Sequence, residues 1–205
     1  MGHLSRNTEP IGRRFLLDAR TRILIVRVMA HITTSVEYAI HCLLWLAVRD
    51  DPALSSRDLA ELQGVSPTFL AKILPKLERA GIVSAHEGVR GGYRLARPAE
   101  RITFLDIVDA IEGEKPLFDC QEVRRRCALY GDCPPRWASG GVCAIHGVML
   151  QAEKAMRLSL ASQSLGDIAK RFSRIAPAKF FDELDGWVDQ RMSDRIVRGN
   201  KSDNR

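Results

Sequence analysis

The sequence has no apolar run near the roughly 18 residues that a membrane-spanning helix needs. A secretory leader is also missing, because arginines interrupt the first apolar stretch and no small-residue cleavage site follows it. Five cysteines, an odd number without such a leader, argue against a disulfide framework and for a reducing cytoplasm. No phosphate-binding loop occurs, and His31, His41, His86 and His146 have no serine or cysteine nucleophile at a recognisable motif spacing. Membrane proteins, small secreted scaffolds and the familiar hydrolase and nucleotide-binding classes are thereby set aside. No enzyme is expected.

What is present suits a single domain with a substantial appendage, since 205 residues can bury a proper core. The net charge of +6 favours a polyanionic partner, but its location weakens that argument. Residues 1–28 hold six arginines against Glu9 and Asp18, a net of +4, which leaves only +2 for the rest. Residues 1–30 therefore read as a basic extension, either disordered or an over-extended start before Met29. The alternative is an arm that contacts phosphates.

The informative stretch runs from Ser55 to Gly81. Ser55 with Asp58 three residues on is a helix-start signature, and the short helix that follows buries Leu59, Ala60 and Leu62 before Gly64. Ser66 is expected to cap a second helix with Pro67 at its first position. Leu70, Ile73, Leu74 and Leu77 then follow helical spacing, so one face is core. The other face offers Thr68, Lys72, Lys76 and Arg79. Pro75 is expected to bend this helix beyond Lys72. Two short helices, a glycine turn and a basic outer face make a helix-turn-helix.

A preceding helix from Thr34 or Ser35 to about Arg49 is apolar nearly all round and so expected to be buried on more than one side. Ile82–Ser84 and Tyr93–Leu95 read as a β-hairpin around a glycine-rich loop, which makes a wing. Thr103 and Asp106 open another helix that ends at Gly113. A long amphipathic helix is expected from about Ile145 to Ser162, with Val148, Ala152, Ala155, Met156 and Ser159 on one stripe suited to a dimer seam. Ser164 and Asp167 start one more helix. The tail holds an amphipathic piece (Phe180, Phe181, Leu184, Trp187, Val188) and then a polar end expected to be disordered. The fold class is mostly α with a small β-wing: a winged helix-turn-helix plus a long C-terminal dimerisation helix. Its divisions are the winged domain at 31–98, a connecting helix and cysteine loop at 99–147, the dimerisation helix at 148–172 and the tail at 173–205.

Four cysteines fall between residues 120 and 143, in the pattern Cys-x6-Cys-x5-Cys-x9-Cys-x2-His ending at His146. Soft thiolates in a loop with little apolar content suit an iron–sulfur cluster or zinc. Structural zinc sites space paired ligands two to four residues apart, and no cysteine pair here is so close. An iron–sulfur cluster is favoured over a bare thiol switch, and both over zinc. Cys42, among leucines on the first helix, reads as core. Glu37 and His41 share a helix face at i, i+4, as a local contact or as a ligand pair.

These motifs carry a family resemblance. Val36-Glu37-Tyr38-Ala39, Val65-Ser66-Pro67-x-Phe69-Leu70 and Leu77-x-x-Ala80-Gly81-Ile82-Val83 resemble the Rrf2 family of bacterial regulators. So do the wing Arg90-Gly91-Gly92-Tyr93-x-Leu95-x-Arg97-Pro98 and the run from Ile102 to Gly113. The resemblance implies a dimeric winged-helix transcription factor, usually a repressor, often with a loop-bound cluster that alters its DNA affinity. Oxidants, nitric oxide and iron–sulfur supply are signals in that family. Cys120-Gln121-Glu122-Val123 and Val36-Glu37-x-x-x-His41 look like the actinobacterial RsrR-type branch. There a glutamate and a histidine of one subunit join two loop cysteines of the other on a 2Fe–2S cluster. Carried over, the ligands are Glu37, His41 and Cys143. The branch's remaining cysteine falls near Ser139, so Cys133 is taken as the fourth, with Cys120, Cys127 and His146 as alternates.

The expected function is a cytoplasmic homodimeric repressor that binds double-stranded promoter DNA and senses redox state, nitric oxide or iron–sulfur status. Its DNA contacts would be Ser66, Thr68, Phe69 and Lys72 on the recognition helix, with Arg90, Gly91 and Tyr93 on the wing. A thiol-switch or zinc-containing DNA binder, or a winged-helix protein-interaction module, is the alternative.

Overall fold

A computed structural model describes residues 32–49, 53–88, 91–131 and 133–202; the expectations for residues 1–30 and for Arg90 lie outside them. Helix α1 (Thr34–Ala47) starts at Thr33, whose hydroxyl accepts a bond from the Ser35 amide. It buries Val36, Ala39, Cys42 and Leu43 and packs against four other helices and the wing, so an apolar sequence around its circumference is what its position requires.

Helices α2 (Ser56–Gln63) and α3 (Pro67–Arg79) form the helix-turn-helix. Ser55 and Asp58 make a reciprocal capping box, and Gly64 ends α2 at φ 67°, a left-handed conformation that suits glycine. At the start of α3 the structure departs from expectation. Ser66 is at the N-cap position but makes no side-chain cap, because its own carbonyl takes the Phe69 amide at 3.0 Å. Helix α3 runs unbroken through Pro75 and buries Leu70, Ile73, Leu74 and Leu77, each worth about 1.5–3 kcal/mol.

Strands β1 (Val83–His86) and β2 (Gly92–Leu95) pair antiparallel, Val83 opposite Leu95 and His86 opposite Gly92. The wing's base is fixed to the start of α2: the Tyr93 amide donates to the Leu54 carbonyl at 2.8 Å, and Leu54 returns a bond at 3.2 Å. Helix α4 (Phe104–Glu112) opens with the expected capping box of Thr103 and Asp106. Among its described residues the cysteine segment that follows has two 3-10 turns and the short α5 (Arg136–Ser139).

Helix α6 (Ala144–Ala161) buries none of its residues within this chain. Val148, Ala152, Ala155 and Ser159 of the small-residue stripe are all exposed, and only Met156 is half-buried. Helix α7 (Leu165–Ile175) starts with the expected Ser164–Asp167 capping box. The segment 148–172 thus contains two helices joined by a turn, and the line drawn at 147/148 falls inside α6. The tail needs a larger correction. Its polar end is helical as far as the described residues go: α8 runs from Ala178 to Ser202, with Leu184 and Val188 in the core and Met192 packed against it.

Candidate DNA interface and cysteine loop

The exposed start of α3 presents Ser66, Thr68 and Lys72 to solvent on one side of the helix-turn-helix. Ser66, whose hydroxyl makes no cap, is exposed beside them. Phe69 is placed differently. Its ring is half-buried and meets Tyr38 of α1 edge-on, centroids 5.4 Å apart, so it braces the recognition helix. Tyr93 likewise packs against the core and uses its backbone for Leu54. Gly91 is in the wing turn, where its amide donates to the Gly88 carbonyl at 2.8 Å. Of the basic residues read as an outer face, Lys76 turns inward: its ammonium donates to the Ile111 carbonyl at 2.7 Å, at the end of α4. Arg79 bonds back to the Pro75 carbonyl. Thr68 and Lys72 stay exposed on this face.

Glu37 and His41 are both exposed on α1, as a ligand pair would have to be. The four loop cysteines are free thiols, with Cys127 and Cys133 exposed and Cys120 and Cys143 half-buried. Among the described residues, however, no group of three or more His, Cys, Asp or Glu side chains is placed to hold a metal. One chain alone does not bring Glu37, His41, Cys133 and Cys143 together.

The loop is organised by a residue the sequence reading passed over. Arg124 donates to Glu122 at 2.9 Å and to the carbonyls of Gly140 and Gly141. That bond to Arg124 holds the Glu122 carboxyl below its usual range, and the Arg124 guanidinium is raised by Glu122 in turn. The charges of Cys143 and Cys120 add to the effect on Arg124, and His146 adds to that on Glu122, so these groups share one neighbourhood. The arginine run 124–126 was the signal, but besides Glu122 and Gln121 its acceptors are the carbonyls of Ser139, Gly140 and Gly141, distant in sequence.

Cys42 contrasts with the loop thiols. It is 1% exposed, and burial pushes its thiol up to about 12. In metal-free native protein a thiol reagent is therefore expected to titrate the four loop cysteines, and Cys42 only after unfolding. Five fast thiols in the native state would contradict the buried position of Cys42.

A three-helix core, a recognition helix with exposed polar residues at its start and a two-stranded wing define a winged helix-turn-helix DNA-binding domain. The chain belongs to the Rrf2 family: it matches the model described as Rrf2, iron-dependent transcriptional regulator, over residues 32–171. It is 32% identical over 140 residues to protein rrf2 of Nitratidesulfovibrio vulgaris, covering 68% of this chain and 87% of that one. It is 31% identical over 141 residues to the HTH-type transcriptional repressor NsrR of Streptomyces coelicolor, covering 67% and 86%. The structure of CymR, described as the global cysteine regulator of B. subtilis, superposes with TM-score 0.56 at 23% identity over 70% of this chain and 98% of that one, a likeness of fold. This protein is accordingly a transcriptional regulator and not an enzyme, and regulators of this family bind DNA. Among the described residues no helix is long and apolar enough to cross a membrane.

Proposed function

We propose that the protein is a homodimeric repressor whose DNA affinity is set by an iron–sulfur cluster, of the 2Fe–2S type, shared between subunits. The observation that carries this reading is the presence of two donor sets: Glu37 and His41, exposed on α1, and disulfide-free thiols in the loop, with Cys133 exposed and Cys143 half-buried. A carboxylate, an imidazole and thiolates fit an iron–sulfur cluster chemically. The fit is to a ligand set drawn from two chains, Glu37 and His41 of one with Cys133 and Cys143 of the other. The exposed apolar face of α6, with Val148 64% and Leu158 61% exposed, supports pairing of two copies through that helix.

When bound, such a cluster supplies reversible one-electron redox chemistry. The chain's own residues supply the rest. Thr33 donates its hydroxyl to Glu112, and Lys76 donates to Ile111, so the start of α1 and the recognition helix both hold the residues that lead into the cysteine loop. A change in how the loop is held would be passed to α3, and dimer geometry sets half-site spacing on DNA.

The test is a visible spectrum with iron and sulfide analysis on protein purified without oxygen. A brown protein with about two irons and two sulfides per cluster is expected, and Cys143→Ser, Glu37→Ala or His41→Ala should each lower its iron content or shift its spectrum. A colourless protein after attempted reconstitution would overturn the cluster reading. A thiol switch is then the remaining reading, since all four loop cysteines are free thiols. It predicts full DNA binding without iron and reversible loss of binding on oxidation.

A further inference from the structure

Helix α8 lies beyond residues 32–171, so the family match does not account for it. It is nevertheless joined closely to the helix-turn-helix. Leu184 and Val188 are 5% and 1% exposed and seat the helix in the core. Asp185 pairs with Arg49 at the end of α1. Further along, Arg191 pairs with Glu61, and the Arg195 guanidinium lies 3.0 Å from the Asp58 carboxylate, which also caps α2. Arg191 is held over the Trp187 ring at 4.7 Å.

These pairs change the charge of α2. On its own that helix carries Asp58 and Glu61 against the single cation Arg57. In a helix-turn-helix the first helix crosses the DNA backbone, where surplus carboxylates would repel phosphates. With Arg191 and Arg195 in place the carboxylates of α2 are both answered, and a cleft of about 310 Å³ lies between the start of α2 and α8, lined by Ser55, Arg57, Arg191 and Arg195 and also by the carboxylates of Asp58 and Asp194. The wing adjoins it through the backbone bonds of Leu54 with Tyr93.

We propose that α8 is a part of the DNA-binding surface: Arg191 and Arg195 neutralise Glu61 and Asp58 and thereby let the face led by Arg57 approach the phosphate backbone. This rests on the DNA-binding assignment of the family. Arg191 and Arg195 are positioning residues, acting through α2, and the partner is the sequence-independent backbone.

The experiment uses the full-length protein and a mixed-sequence duplex of about 30 base pairs, titrated at several salt concentrations, because backbone binding needs no operator. Arg191→Gln is expected to weaken binding about fivefold at low salt, less so at high salt, with little change in thermal midpoint. Removing the opposing carboxylate as well, in Arg191→Gln with Glu61→Gln, should return affinity to within about twofold of the original. Arg191→Lys, which keeps the charge, should bind like the original protein. Unchanged affinity in Arg191→Gln would overturn the proposal. So would equal weakening in the single and double variants, or loss in Arg191→Lys, since either would indicate a packing role without electrostatics. Failure of the original protein to bind any duplex would remove the DNA-binding reading, and the proposal with it.

Discussion

Replacing Gly92 by alanine is expected to unseat the wing and to weaken DNA binding by about tenfold or more, as a loss beyond 1.4 kcal/mol would. A Cβ added at Gly92 would sit 2.5 Å from the carbonyl carbon and oxygen of Leu54 and 2.8 Å from the Ser55 amide nitrogen. All three atoms are backbone, so no side chain can swing aside to make room. The φ of 154° at this position is also one that a residue with a Cβ rarely adopts. Relief requires breaking the paired bonds of Leu54 and Tyr93, which fix the wing to the start of α2. Overpacking commonly costs about 1–3 kcal/mol, and rigid backbone on the other side places this case at the upper end. Urea unfolding together with a duplex titration checks both parts. A variant with the original stability and affinity would show that the wing base does not position the DNA-binding face.

The second large effect is expected at Leu184. It is 5% exposed within the main core cluster, so Leu184→Ala should lower the unfolding free energy by about 2–5 kcal/mol. Asp189, exposed on the same helix, serves as the control: Asp189→Ala should change stability by no more than about 0.5 kcal/mol. Equal, small effects at both positions in urea titrations would mean that α8 is attached loosely. A large cost at Leu184 alone means that the DNA-binding domain does not end at the wing, and that truncating the tail removes part of its core.

The local grammar of the chain was legible wherever both partners of an interaction stand within one helical turn. Ser55 with Asp58, Thr103 with Asp106 and Ser164 with Asp167 all read as helix starts and all form capping boxes. Glycine at 64 read correctly as a helix end for the same reason. Ser66 misled because a backbone carbonyl competed with its side chain for one amide, which residue type cannot reveal. Phe69 and Tyr93 carried a family motif and were assigned to DNA; both are half-buried and also pack against the core, which the motif did not reveal. Exposure, which decides between these roles, depends on elements far away in the chain. The polar end of α8 looked too hydrophilic to fold because its anchors, Asp58 and Glu61, belong to another helix. Of the candidate ligands, the sequence placed Glu37 and His41 on one helix face but did not reveal that the face is exposed, and among the described residues of one chain no metal-binding group is assembled.

The helices on either side of the cysteine loop are clamped together without its help. Arg157 of α6 grips Asp109 of α4 through two bonds of 3.0 and 2.9 Å, and the backbone at Thr103–Phe104 pairs with that at Gln163–Ser164. The loop is thus a span hung between two fixed posts. Lengthening such a span is cheap, about 0.6 kcal/mol for each doubling of a flexible loop. Insertions and deletions between the posts can therefore accumulate while the DNA-reading half stays unchanged. The segment that carries Cys-x6-Cys-x5-Cys-x9-Cys lies on this span, and a laboratory could exchange it for another sensor on the same reader.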